Sequence, residues 1–183
     1  MIMKQQRVAD KFSEQMNSKT GYENFFDGVV TMCDNRVIDN ELGEQLKVYV
    51  SEWLAHNSLA EFDNFSDTAY SRTYLGRSKS GWEAIVMGWK RGNTTSVHSH
   101  PQFAGYNFAD GEFRVEIFEP AGKGRARLVK TLKIKAPMSL YSVGEEGQFD
   151  NHIHRITCLS ERGHSLHIYS DDALQGLTYE VVE

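Results

Sequence analysis

Apolar positions change their period once along this chain. Before about residue 65 they recur at helical spacing, and after it they alternate. Val8, Phe12 and Met16 fall four residues apart and predict a first helix. Phe25, Phe26, Val29, Val30 and Cys33 predict a second, and Leu42, Leu46, Tyr49, Val50, Trp53 and Leu54 a third. Asp39 or Asn40 supplies the cap of that third helix. "NSLAEFDNFSD" reads as a connecting loop with room for a short helix.

From about Thr68 short runs of period two take over. They are "AYSRTYLG", "WEAIVMGWK", "TTSVHSH", "AGYNFAD", "EFRVEIFEP", "ARLVKTLKIK", "SLYSV", "IHRITCLS" and "HSLHIYS", separated by Gly, Asn, Asp, Ser and Pro. "FADGEF" predicts a tight hairpin, because Asp110-Gly111 accepts the positive φ of a primed turn. No βαβ rhythm and no internal repeat appears. The pattern predicts a mainly β fold, closed or sandwiched and antiparallel. One domain of residues 1–183 is expected, with a helical lead-in over 1–65 packed outside a barrel built from 66–183.

Composition narrows the function classes. The net charge is −5, and no basic stripe exists to attract nucleic acid. "MIMKQQRVADKF" lacks the apolar run of a signal peptide. No stretch approaches the roughly 18 apolar residues of a membrane span. Cys33 and Cys158 are the only cysteines, as expected of free thiols in a reducing compartment. A cytoplasmic protein without nucleic-acid or membrane partners is expected.

Chemistry concentrates in histidine. Six of the seven histidines lie in the β portion. On a strand, His98 and His100 share a face and would aim two imidazoles at one point. His152 and His154 repeat that spacing, and antiparallel strands could bring the pairs together. A single H-x-H is equally a half-exposed polar strand face; two pairs in one β-domain favour metal. Nitrogen donors fit iron, zinc, copper or nickel alike.

H-x-H on a strand, a hairpin glycine and a later histidine resemble the metal motifs of the cupin superfamily. Typical cupins place a Glu shortly after the pair, where this chain has Ala104-Gly105. That departure resembles the thiol dioxygenase branch, typified by cysteine dioxygenase, and in particular its bacterial type. "HRITCLSERGHSLHIYS" is similar to that family's H-R-V-x-N and S-L-H-x-Y-S. "AYSRTYLG" is similar to its Y-T-R-N-L, and "MGWKRGNTTSVHSH" to its C-W-x-x-G-x-x-S-x-I-H-D-H. Ser99 and Ser170-Asp171 depart from the family's Asp and Ser-Pro.

The resemblance implies a jelly-roll-like cupin barrel with His98, His100 and His154 holding Fe(II). His154 is preferred to His152 because Arg155-Ile156 follow it, which leaves His152 a surface or supporting role. Three neutral imidazoles leave the ion its full charge, which suits an anionic sulfur and lowers the thiol pKa. Arg72 becomes the carboxylate clamp, through its planar fork, with Tyr70 on the same strand face. Otherwise Arg72 is a surface ion-pair residue. Ser165, His167 and Tyr169, at i, i+2 and i+4 of one strand, can form a relay ending in a phenol at the substrate. Otherwise they are the polar face opposite Leu166 and Ile168. Trp89 matches a family tryptophan near the site or is core. Cys158 is expected to be a buried, inert thiol, and His56 and His164 surface residues.

Animal-type members carry a cysteine five residues after the second ligand that can link to the tyrosine matched by Tyr169. Gly105 stands there in this chain, so Tyr169 is expected to remain a free phenol. The implied activity is oxidation of L-cysteine to its sulfinate with O2. The alternatives are 3-mercaptopropionate, cysteamine or another small thiol as substrate, or a non-enzymatic cupin that binds metal and a small ligand.

Overall fold

The structure, a computed structural model, describes residues 16–183. Its elements are β1 (Met16–Ser18), α1 (Glu23–Cys33), α2 (Asn40–His56), β2 (Arg72–Arg77), β3 (Glu83–Lys90), β4 (His98–His100), β5 (Phe103–Asp110), β6 (Glu112–Pro120), β7 (Arg125–Lys135), β8 (Met138–Val143), β9 (Asn151–Cys158), β10 (Arg162–Tyr169) and β11 (Glu180–Val182). Short 3₁₀ turns cover Ala60–Phe62 and Ala173–Gln175. Two of the expected helices form. Asp39 caps α2, its Oδ1 accepting from Leu42 N at 2.9 Å; such a cap is worth about 1 kcal/mol. The helix expected through Val8, Phe12 and Met16 lies mostly outside the described residues, and Met16 itself starts a strand.

Among the described residues, eleven strands make two sheets, ordered β1-β2-β3-β10-β5-β8 and β11-β7-β6-β9-β4. Pairing is antiparallel as expected, except for two short additions: β1 runs parallel to β2, and β11 parallel to β7. The period-two pattern then divides the core. Leu166 and Ile168 of β10, with Ala84 and Val86 of β3, face outward onto Phe25, Phe26 and Val29 of α1 and Leu42, Leu46 and Val50 of α2. Tyr169, Ile85, Met87 and Trp89 face inward, between the sheets. Each fully buried apolar side chain contributes about 1.5–3 kcal/mol. The helical lead-in therefore seals one sheet from outside, and the inner face remains for a site.

Asp110-Gly111 makes a turn but not a hairpin. β5 pairs with β10 and β8, whereas β6 pairs with β7 and β9. The turn carries the chain from one sheet to the other. Gly111 has φ 87°, and a Cβ there would sit 2.7 Å from Arg162 O. Turn chemistry fixes the local φ; it does not decide whether the flanking strands pair. The hairpin forms one strand later, between β6 and β7.

Candidate metal centre

β4 and β9 lie side by side at one edge of the five-stranded sheet, with His98 opposite His154. The register slips between His98 and His100, so His100 stands opposite Asn151. One potential ligand atom from each of His98, His100 and His154 lies within 4.8 Å of the others. All three side chains are buried, with no carboxylate in the cluster.

Local backbone sets two of the rings by the same device. His98 Nδ1 donates to Ser96 O at 2.8 Å, and His154 Nδ1 donates to His152 O at 3.0 Å. A proton on Nδ1 puts the lone pair on Nε2, which is how a neutral imidazole presents itself to a metal. His100 is held by packing. It stacks on Tyr169 with ring centroids 4.9 Å apart and on His154 at 4.8 Å. Neither of its ring nitrogens has a hydrogen-bond partner. Burial, then the neighbouring His98, hold the His100 and His154 pKa values well below the usual imidazole range. A buried, neutral, unsatisfied imidazole among two others fits a divalent metal ion, which would satisfy it.

His152 does not join the cluster. Its φ is 56°, which breaks the strand alternation on which the second H-x-H argument rests. Its Nε2 meets Gln102 O at 3.1 Å. What His152 gives the cluster is its backbone carbonyl, which orients His154.

Ser165, His167 and Tyr169 lie in one hydrogen-bonded chain, and Trp89 joins them. Trp89 Nε1 donates to Ser165 Oγ at 2.9 Å, Ser165 Oγ meets His167 Nε2 at 2.7 Å, and His167 Nδ1 meets Tyr169 Oη at 3.0 Å. Burial, with Arg72 nearby, pushes the His167 pKa down to about 3, so its ring is neutral. An indole only donates. Ser165 is fully buried and its hydrogen has no acceptor among the described residues but His167 Nε2, so Ser165 donates there, His167 donates from Nδ1 to Tyr169, and the phenol keeps its own hydrogen to give elsewhere. Burial raises the Tyr169 pKa far enough that the group stays protonated.

Arg72 is buried at the start of β2, not on the surface. Burial opposes its charge, but the phenols of Tyr70, Tyr169 and Tyr74 favour it, and Tyr74 is hydrogen-bonded to it. Tyr70 precedes the strand and stacks on Trp89 at 4.5 Å.

Sequence reasoning missed Glu83. It is fully buried as the cross-strand partner of Tyr169, and it pairs with Arg77 and accepts from Ala173 N at 3.2 Å. Burial, against the pull of Arg77, raises its carboxyl to about 7. The signal was available: Glu83 shares the inward stripe of Ile85, Met87 and Trp89. His164 is also not a surface residue. It is buried between Asp110 and Asp63. Cys158 is buried, donates to Ser160 O at 3.4 Å, and burial raises its thiol pKa. Ser99 ties Phe149 O and Leu177 N to β4, and Ser170 Oγ accepts from Phe103 N.

A two-sheet, mainly antiparallel barrel with three imidazoles converging on its inner face is a cupin-type barrel with a candidate metal site. The family model for cysteine dioxygenase type I matches residues 16–179, and the chain belongs to that family. Membership indicates thiol dioxygenase chemistry, and the three-histidine cluster could hold the metal it uses. Among solved structures, an uncharacterized conserved protein with a double-stranded beta-helix domain from Klebsiella pneumoniae is 16% identical over 68% of this chain and 90% of that chain, with a TM-score of 0.49. A cupin 2 conserved barrel domain protein from Leptotrichia buccalis is 19% identical over 62% of this chain and 46% of that one, TM-score 0.46. A cupin superfamily protein from Desulfitobacterium hafniense is 14% identical over 64% and 93%, TM-score 0.44. No curated protein matches the sequence. Among the described residues, no helix is long and apolar enough to cross a membrane.

Proposed function

We propose that the chain is an iron(II) thiol dioxygenase that converts L-cysteine to cysteine sulfinate. The observation that carries this reading is a cluster of three buried histidines without a carboxylate, against which stacks Tyr169, itself beside the buried Arg72 guanidinium. The reaction RSH + O2 → RSO2H places both oxygen atoms on sulfur. Sulfur gives up four electrons and dioxygen takes them, so no further reductant is needed.

His98, His100 and His154 would hold the ion. Iron bound there would supply a site for the thiolate and for dioxygen, and would lower the thiol pKa. Arg72 binds the substrate carboxylate through its planar fork, and its burial strengthens that pairing. Tyr169 donates its remaining hydrogen to the substrate or to oxygen charge as it develops. Ser165 and His167 are positioning residues that fix the direction of that donor. Trp89, Tyr70 and the inner apolar face exclude water.

Anaerobic loading with iron(II), followed by oxygen uptake with cysteine, 3-mercaptopropionate and cysteamine, tests the reading. Uptake matched one-to-one by sulfinate, and best with cysteine, is expected. Preference for 3-mercaptopropionate would overturn the substrate assignment. No uptake with any thiol would overturn the activity.

A further inference from the structure

The inner face of the six-stranded sheet is divided by one ring. In register across it stand Leu140 of β8, Tyr106 of β5, His167 of β10 and Ile85 of β3. Tyr106 packs edge-on against His154 at 4.9 Å, His100 at 5.8 Å and His167 at 5.7 Å. On its His167 side lies the polar relay that ends at Tyr169. On its Leu140 side lies a cavity of about 30 Å3, lined by Tyr106, Phe108, Val115, Leu140, His154 and Ile156. Val115 and Ile156 are cross-strand partners on the opposite sheet. His154 thus belongs both to the metal cluster and to the cavity wall, whereas Leu140 is only half-buried and marks the outer end.

We propose that this cavity takes up dioxygen and feeds it to the metal centre along a path separate from the thiol's. The proposal rests on the thiol dioxygenase reading. The wall exposes no polar surface. Water needs about two to four polar partners to settle in such a space. A carboxylate or an ammonium group would lose its hydration and find no counter-charge. Dioxygen is small, uncharged and apolar, and the volume is twice or more the roughly 10–15 Å3 that one water occupies. The polar substrate is therefore left the Arg72 side, and the gas has an apolar route that no bound thiol blocks.

Xenon serves as the probe. Crystals of the protein as isolated, pressurised with xenon, should show an atom between Tyr106 and Ile156. Val115→Phe should fill the cavity and remove that atom. In the iron-loaded variant, KM for dioxygen should rise several-fold, with KM for cysteine unchanged. Leu140→Trp, at a half-buried position, is the second variant should Val115→Phe not fold. A xenon-free wild type that turns over normally would overturn the cavity assignment alone. So would an unchanged KM for dioxygen in a variant that has lost xenon. A wild type that binds xenon but consumes no oxygen with any thiol would overturn the dioxygenase reading, and with it dioxygen as the occupant.

Discussion

Arg72 brings a permanent charge into the barrel interior, where the phenols of Tyr70, Tyr169 and Tyr74 lie beside it. A buried guanidinium beside the Tyr169 phenol can pair bidentately with a carboxylate, which is the physical basis of the proposed clamp. Arg72→Ala should raise KM for cysteine by the loss of a buried charge-assisted pair, about 2–5 kcal/mol. Cysteamine, which has no carboxylate, should respond little. Steady-state kinetics with both thiols checks this, and unchanged cysteine kinetics would sink the clamp. The phenol at the other side of the site raises a second question, whether it is chemically modified. Gly105, the position matched to the family's linking cysteine, is paired with Ile168, and a Cβ there would meet Phe103 at 3.3 Å on the outer face. The residue across from Tyr169 is Ala104. Neither offers a thiol. Intact-mass analysis should return the sequence mass, with no deficit of about 2 Da for a thioether, and the Tyr169 peptide should run alone after digestion.

At the scale of elements, His164 ties three pieces of chain together. Its Nδ1 meets Asp110 at the end of β5 at 2.8 Å, and its Nε2 meets Asp63, in the segment after α2, at 2.7 Å. Arg162 of the same strand also donates to Asp63, at 2.9 Å. Burial works against the imidazolium, yet the two carboxylates outweigh it and raise the pKa above the ordinary value. A histidine pKa raised by folding stabilises below its unfolded value near 6.5, and that contribution is lost as pH rises through the folded pKa. The melting-temperature advantage of wild type over His164→Gln should therefore be widest near pH 6. It should shrink by pH 9, with charged hydrogen bonds of about 1.5–3 kcal/mol at stake. A pH-independent gap would refute the charged bridge. This residue also marks where sequence reading stops. The strands β2 to β10 were legible because each turns one face into the barrel, and on β6, whose other face meets solvent, that writes itself as alternation. The partners of His164 were not, because they lie 101 and 54 residues away. The turn at Asp110-Gly111 was legible as a turn, but its flanking strands join different sheets. His154 could be separated from His152 only by resemblance, because the positive φ that turns His152 aside has no glycine to announce it.

The two sheets of the molecule divide the labour at the site. His98, His100 and His154 all sit on the five-stranded sheet, on neighbouring strands β4 and β9. Arg72 and the relay from Ser165 to Tyr169 sit on the six-stranded sheet, which the helices seal from outside. The metal would therefore join β4 to β9 within one sheet, and the substrate would bridge the gap to the other. Binding confined to the folded state must stabilise the fold. An ion at a hundredfold excess over its Kd contributes about 2.7 kcal/mol. For a chain of this size that raises Tm by roughly 5–10 °C. Anaerobic iron(II) should give such a shift in differential scanning fluorimetry, and a chelator should reverse it. His154→Ala should lose the shift, because two imidazoles on one short strand leave the ion without its third donor. His152→Ala should keep most of it, because His152 supports the site through its main-chain carbonyl, which the substitution preserves. The opposite ranking of these two variants would mean that His152, and not His154, holds the metal. Loss of the shift in both would instead mean that the Gln102 contact of the His152 ring is needed to hold that carbonyl in place.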